Sequence, residues 1–182
     1  EPGVFKDRHI MEGVPHRMIE GALIAAYASG ARAIFIYVNA EAELSASRIE
    51  KGLAHAAELG LLGSNVLKSD WSIQVEIRRG AGGYVCGEET TLLNTMEGQR
   101  REPRLRPPFP TESGYLSKPT IINNAETLSN LPFIMTEGPD AFAAVGTQDA
   151  TGTKILSLSG AVRRPGLVEV PFGTTLRSVV EE

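Results

Sequence analysis

A chain of 182 residues is long enough to bury one full hydrophobic core, or one core and part of another. A net charge of −4 argues against a broad nucleic-acid surface, and a single cysteine, Cys86, excludes an internal disulfide framework and fits a reducing compartment. No apolar run approaches the length of a membrane span, no secretory signal is visible, and His9, His16, His55 and Cys86 form no metal-ligand spacing.

In chain order, residues 1–14 read as a loop with a turn at Pro2-Gly3. Pro15 is placed to open a helix, and Met18, Ile19, Ala22, Leu23, Ala26 and Tyr27 then share one helical face, with Gly30 as the C-terminal stop. The run ARAIFIYVN reads as a strand buried on both faces, as in a parallel sheet. A second helix follows over about 41–59, then a connection with a helical turn. Next comes the half-exposed strand SIQVEIRRG, in which Ile73, Val75 and Ile77 alternate with polar residues. Helix, strand, helix, strand implies an α/β class with a layered sheet, flanking helices and crossover connections.

In such sheets ligands sit at the carboxyl ends of strands. The segment Gly80–Glu89, GAGGYVCGEE, occupies that position and opens a further helix, EETTLLNTMEG, that stops at Gly98. Residues 99–119 carry five prolines and four arginines without periodicity and read as an extended surface loop. TIINNAETLSNLPFIMTEG begins β-like and turns helical, with Asn123 or Asn124 as the N-cap. A short helix DAFAAVG follows. From Gly152 the texture becomes strand, VRRPG turn, strand and helix start, which places a domain boundary near 147–152. The chain begins at Glu1 without a methionine and ends just after a helix start, so it reads as a piece of a longer protein.

Chemically, the Gly-rich segment is neither a dinucleotide fingerprint, since Val85 stands where a glycine is needed, nor a P-loop, since no Gly-Lys-Ser/Thr follows. A plain tight turn is the competing reading. Glu88 and Glu89 in a first helical turn are ordinary dipole partners. Yet paired carboxylates there repel phosphate and favour a ligand that offers hydroxyls, amides or ring N–H groups. Tyr84 beside them is either a packing residue or a stacking platform. Asn123-Asn124 is either a cap with its neighbour or a pair of amides for a phosphate or ribityl chain. Arg104, Pro107 and Pro110 fit a polyproline-ligand spacing, but that spacing is common by chance and a loop packed on its own domain is the stronger reading; a lid with Arg106 near a phosphate and Phe109 near an adenine uses the same residues better. Cys86 reads as a small buried residue.

The run GAGGYVCGEETTLLNTMEGQRREPRLRPPFP, with KPTIINNAETL behind it and HRMIEGALIAAYASGARAIFIYVNAE ahead, resembles the FMN- and NADH-binding subunit of respiratory complex I. The same module occurs in NAD-reducing hydrogenases and NAD-dependent formate dehydrogenases. The resemblance covers residues 1–150; the part from 151 to 182 resembles the start of an SLBB-type, ubiquitin-like β-grasp domain. It implies a non-standard flavin pocket in which NADH passes hydride to FMN, and electrons then leave to a [4Fe-4S] cluster. It further implies that Gly87, Glu88, Asn123, Asn124 and Thr127 contact FMN, and that Glu1, Tyr84, Glu89, Arg106 and Phe109 contact NADH. No acid or base is needed at the transferring carbon, because the protein supplies stacking, orientation and exclusion of water. The family carries a glycine-rich flavin segment upstream of Glu1 and its cluster cysteines downstream of residue 182. This chain is therefore expected to hold part of the site, to bind FMN weakly or not at all by itself, and to be inactive alone. The implied partners are NADH and the other subunits of a respiratory, hydrogenase or formate dehydrogenase complex, on a cytoplasmic or matrix-facing arm, without nucleic acid and without direct membrane insertion. The rival from another class is a non-catalytic α/β interaction module that docks through its proline-rich loop.

Overall fold

The computed structural model describes residues 3–80 and 84–181, with Tyr84 and Val85 described by backbone alone. The first element is a helix, α1 (Lys6–Gly13), where the sequence reads as a loop. It has no side-chain N-cap, and its support is tertiary: Ile10 and Met11 are buried, and Arg8 pairs with Glu12 one turn on at 2.8 Å. Helix α2 (Pro15–Ser29) starts at its proline and stops at Gly30, whose φ of +73° is the left-handed conformation that glycine adopts without strain. Met18, Ile19, Ala22 and Ala26 are buried as the stripe predicts. Tyr27, at the stripe's edge, is instead 67% exposed and packs edge-on against Trp71.

Strand β1 (Ala33–Val38) pairs in parallel with β2 (Gln74–Arg79), in register Phe35↔Glu76 and Tyr37↔Arg78, with helix α3 (Glu43–Glu58) between them in sequence. A parallel pair requires such a crossover. One face of this sheet carries Ile36 and Val38 into a core with Ile10, Met18, Ile19, Ala46 and Ile49, the last fully buried. The opposite face is half-buried rather than buried. There Phe35 meets the ring of Tyr115 at 5.0 Å, and the Arg78 guanidinium stands 5.5 Å over Phe35.

After a 3-10 turn at Tyr84–Gly87 comes helix α4 (Glu89–Met96). The expected long loop is interrupted by a short helix, α5 (Pro110–Ser113), and a 3-10 turn at Tyr115–Ser117. The β-like run 121–124 forms no strand; Ile121 is exposed, and no sheet edge takes up the backbone. Helix α6 (Ala125–Glu137) then packs across α2 so closely that a Cβ added to Gly21 would stand 2.6 Å from the Leu128 carbonyl carbon. Helix α7 (Pro139–Ala143) precedes an antiparallel hairpin of β3 (Thr153–Leu158) and β4 (Gly166–Pro171), and helix α8 (Leu176–Glu181) follows. The α/β class thus holds, with two small two-stranded sheets and flanking helices among the described residues. No helix of the described residues is long and apolar enough to cross a membrane.

Candidate functional site

Two helix entrances gather the residues singled out in the sequence. At the first, Glu88 is extended (φ −81°, ψ 126°) and caps α4. Its Oε2 accepts from the Thr91 amide at 2.7 Å, the Thr90 hydroxyl at 2.6 Å and the Thr91 hydroxyl at 3.0 Å. Partial burial pushes this carboxyl up, but the Thr90 and Thr91 hydroxyl and amide donors outweigh it and bring it down to about 2. Its Oε1 accepts from Arg106 Nη2 at 2.7 Å, and the same nitrogen stands 2.8 Å from Glu89 Oε1. Arg106 therefore bridges the two acids. Among the described residues, that ion pair is the contact made by the Glu89 carboxylate.

The loop that carries Arg106 is held by one polar stripe of α4. Thr90 Oγ1 accepts from the Arg104 amide at 2.8 Å, and Asn94 Oδ1 accepts from Arg104 Nε at 2.7 Å. Asn94 Nδ2 donates to the Glu102 carbonyl at 2.7 Å, and Glu97 takes Arg104 at 2.8 Å and the Leu116 amide at 2.8 Å. Thr90, Asn94 and Glu97 follow the i, i+4, i+7 spacing of one helical face. That spacing was the signal in the sequence for a buried polar seam, and sequence reasoning missed it. Arg104 is thus a structural residue, while Arg106 reaches the helix entrance. Phe109 is half exposed, and Leu105 is 92% exposed.

The glycines divide in the same way. Gly80 is buried and sits so close to Tyr37 that a Cβ there would stand 2.8 Å from its ring carbon Cζ, so its need for glycine is internal packing. Gly87 is exposed, and among the described residues nothing stands within 4 Å of where a Cβ would project. Cys86, expected to be buried, is half-buried, 3.4 Å from the Tyr37 hydroxyl and 3.7 Å from Thr95 Oγ1. Burial and the Cys86 contact push the Tyr37 hydroxyl up to about 12. Beside it, Tyr37, Arg78, Thr95 and Gln99 line a cleft of about 340 Å³. Glu1, Gly82, Gly83 and the Tyr84 side chain lie outside the described residues.

At the second entrance Asn124, not Asn123, is the N-cap of α6; its Oδ1 accepts from the Glu126 amide at 2.9 Å. Helix α1 supplies the rest of its environment. Lys6 Nζ donates to Asn124 Oδ1 at 3.1 Å, and Asn124 Nδ2 donates to Asp7 Oδ2 at 2.8 Å. Asn123 and Thr127 are exposed, and Thr127 lines a hollow of about 300 Å³ between α6, α7 and the hairpin. The structure thus brings together Glu88, Glu89 and Arg106 in one group, with Asn124 in a second; among the described residues no side-chain contact joins the two. Sequence reasoning missed Glu126, a buried carboxylate at the second entrance. Among the described residues no three histidine, cysteine, aspartate or glutamate side chains group as a metal site.

Comparison with known proteins bears on the family and the fold. The chain is 48% identical over 182 residues to an NADH-quinone oxidoreductase subunit of Rhizobium meliloti (strain 1021), covering 100% of this chain and 43% of that protein. It is 46% identical over 176 residues to the HndC subunit of the NADP-reducing hydrogenase of Solidesulfovibrio fructosivorans, covering 97% of this chain and 36% of that one. The fold superimposes on the crystal structure of an NAD+-reducing [NiFe]-hydrogenase in the H2-reduced state with a TM-score of 0.90 at 38% identity, over 99% of this chain and 30% of that one. The chain spans about two fifths of the length of the curated relatives it matches. A family model described as the Nuo51 FMN-binding domain matches residues 1–133, and the chain belongs to that family.

Proposed function

We propose that the protein carrying this chain oxidises NADH through FMN and passes the electrons to an iron–sulfur cluster, as one subunit of a multi-subunit complex of the quinone-reductase or hydrogenase kind. Its place is a peripheral arm facing the cytoplasm or matrix. The observation that carries the reading is the α4 entrance: an exposed Gly87 followed by two carboxylates tied to one guanidinium. Such an entrance disfavours phosphate and suits hydroxyl and amide groups. In this reading Gly87, Glu88, Asn123, Asn124 and Thr127 hold FMN, while Glu89, Arg106 and Phe109, with Glu1 and Tyr84, hold NADH. Residues 1–150 form the nucleotide-binding part, and 151–182 begin a β-grasp domain.

FMN, when bound, accepts the hydride and releases electrons singly. The chain's residues bind and orient. Glu88, ionised down to about pH 2, keeps its charge at every physiological pH and holds the α4 entrance in one geometry. Glu89 has an acceptor for ribose hydroxyls once Arg106 turns to the ligand. The half-exposed ring of Phe109 offers a flat apolar face and excludes water.

The test is nucleotide titration of the flavin subunit that contains this chain. Glu89→Gln is expected to weaken NADH at least ~tenfold, the scale of a hydrogen bond to a charged group, while FMN stoichiometry and thermal midpoint stay unchanged. Unaltered NADH affinity removes Glu89 from the site. A subunit that binds no FMN returns the chain to the rival reading, a docking module.

A further inference from the structure

Glu126 is 6% exposed, deep enough that an unpaired carboxylate would carry a heavy desolvation cost. It has partners from three directions. Oε1 accepts from the Ile155 amide of β3 at 2.8 Å. Oε2 pairs with Lys6 of α1 at 2.8 Å and with Lys154 of β3. Burial pushes this carboxyl up, but the Ile155 amide, Lys154 and Lys6 outweigh it and hold it below the ordinary carboxylate range.

The same Lys6 ammonium that meets Glu126 also reaches Asp7 Oδ1 and Asn124 Oδ1. Asp7 in turn takes Asn124 Nδ2, and the Glu126 amide donates to Asn124 Oδ1. The orientation of the Asn124 amide is thereby determined. Its oxygen faces two donors and its nitrogen faces a carboxylate; a flip would turn the NH2 group toward the Lys6 ammonium and the oxygen toward Asp7. An unbroken set of contacts runs from the hairpin through Glu126 and Lys6 to Asn124.

We propose that Glu126 is a positioning residue: it fixes the Asn124 amide at the flavin wall and makes the orientation of that amide depend on docking of the β3–β4 hairpin. The flavin half of this statement rests on the function proposed above; the positioning half does not. The residues in contact all belong to this chain, and the hairpin's share comes from Lys154 and Ile155, more than 25 residues along the chain from Glu126.

Two measurements test it on Glu126→Gln and Lys154→Met, with Ile73→Val as a control that loosens a second buried cluster, with Ala26 and Val66, that contains no residue of α1, α6 or β3. The first is NMR exchange of the Asn124 side-chain amide in the flavin subunit that contains this chain. Exchange is expected to be at least fivefold faster in both variants and unchanged in the control. Unchanged exchange in Lys154→Met, or equal acceleration in Ile73→Val, overturns the proposal. Should Glu126→Gln fail to fold, Lys154→Met decides alone, since its side chain is 44% exposed. The second is FMN titration of the flavin subunit, expected to show tenfold weaker binding in both variants but not in the control. Equal FMN affinity in wild type and variants overturns the flavin half. Absence of FMN binding in wild type sinks the proposed function instead and leaves positioning to the exchange result.

Discussion

A carboxylate that accepts from one backbone amide and two hydroxyls, and also pairs with a guanidinium, is stabilised as an anion. Glu88 has that environment, and it titrates near 2 rather than the ordinary 4.5. A depressed folded-state value means that the contribution is fully present above about 4.5 and is lost as pH falls toward 2. Urea unfolding at a series of pH values is therefore expected to show an acid limb that Glu88→Gln flattens in that window; an identical limb in the variant counts against the cap. Solvent trims the effect, since the side chain keeps 32% of its exposure. Tyr37 works in the opposite direction. Its hydroxyl is raised to about 12, so its contribution is present below the ordinary value of 10 and is lost as pH climbs through 12. Absorbance titration of tyrosinate is expected to show a component near 12 that Tyr37→Phe removes. A variant curve that keeps this component refutes the assignment.

Between helices, the α2–α6 crossing is set by a missing side chain. Replacing glycine by alanine inside a helix ordinarily gains up to ~1 kcal/mol. At Gly21 the new Cβ meets the Leu128 backbone, which cannot rotate away. Overpacking then wins, and Gly21→Ala is expected to destabilise by ~1–3 kcal/mol in chemical unfolding. Stability equal to wild type would mean that the helices slide apart freely. What was legible at this scale follows from local chemistry. Pro15, the apolar stripe and Gly30 together delimit α2, and the turn VRRPG between two apolar runs marks the hairpin. Helix α1 was not legible, because Ile10 and Met11 form no periodic stripe and its support comes from burial against α3 and α2. The run Ile121–Asn124 has strand propensity but no edge to pair with, so propensity yields to packing.

Across the whole molecule, burial is uneven. The fully buried side chains Ile49, Val38, Ile73, Leu93, Thr90, Thr91 and Ser45 all lie before residue 95, whereas every residue of β3 is only half-buried. A lone two-stranded hairpin is marginal in water. Native-state hydrogen exchange is accordingly expected to show the β3–β4 amides opening before those of β1 and β2, apart from Ile155, whose N–H is held by Glu126. Uniform protection across both sheets would contradict this. The site was legible only in part for a related reason. The sequence displays the acids and the amides, but the partners that orient them lie up to 118 positions away, as Lys6 does from Asn124. The two helix entrances also constrain how such a protein can change. Glu88 and Asn124 each cap the start of a helix with the side chain that the flavin reading assigns to a ligand. A substitution there that abolishes binding also frays a helix, so selection for solubility and selection for activity act on the same letter. Asn124→Asp separates the two. It keeps the capping oxygen for the Glu126 amide and removes the donor that Asp7 receives.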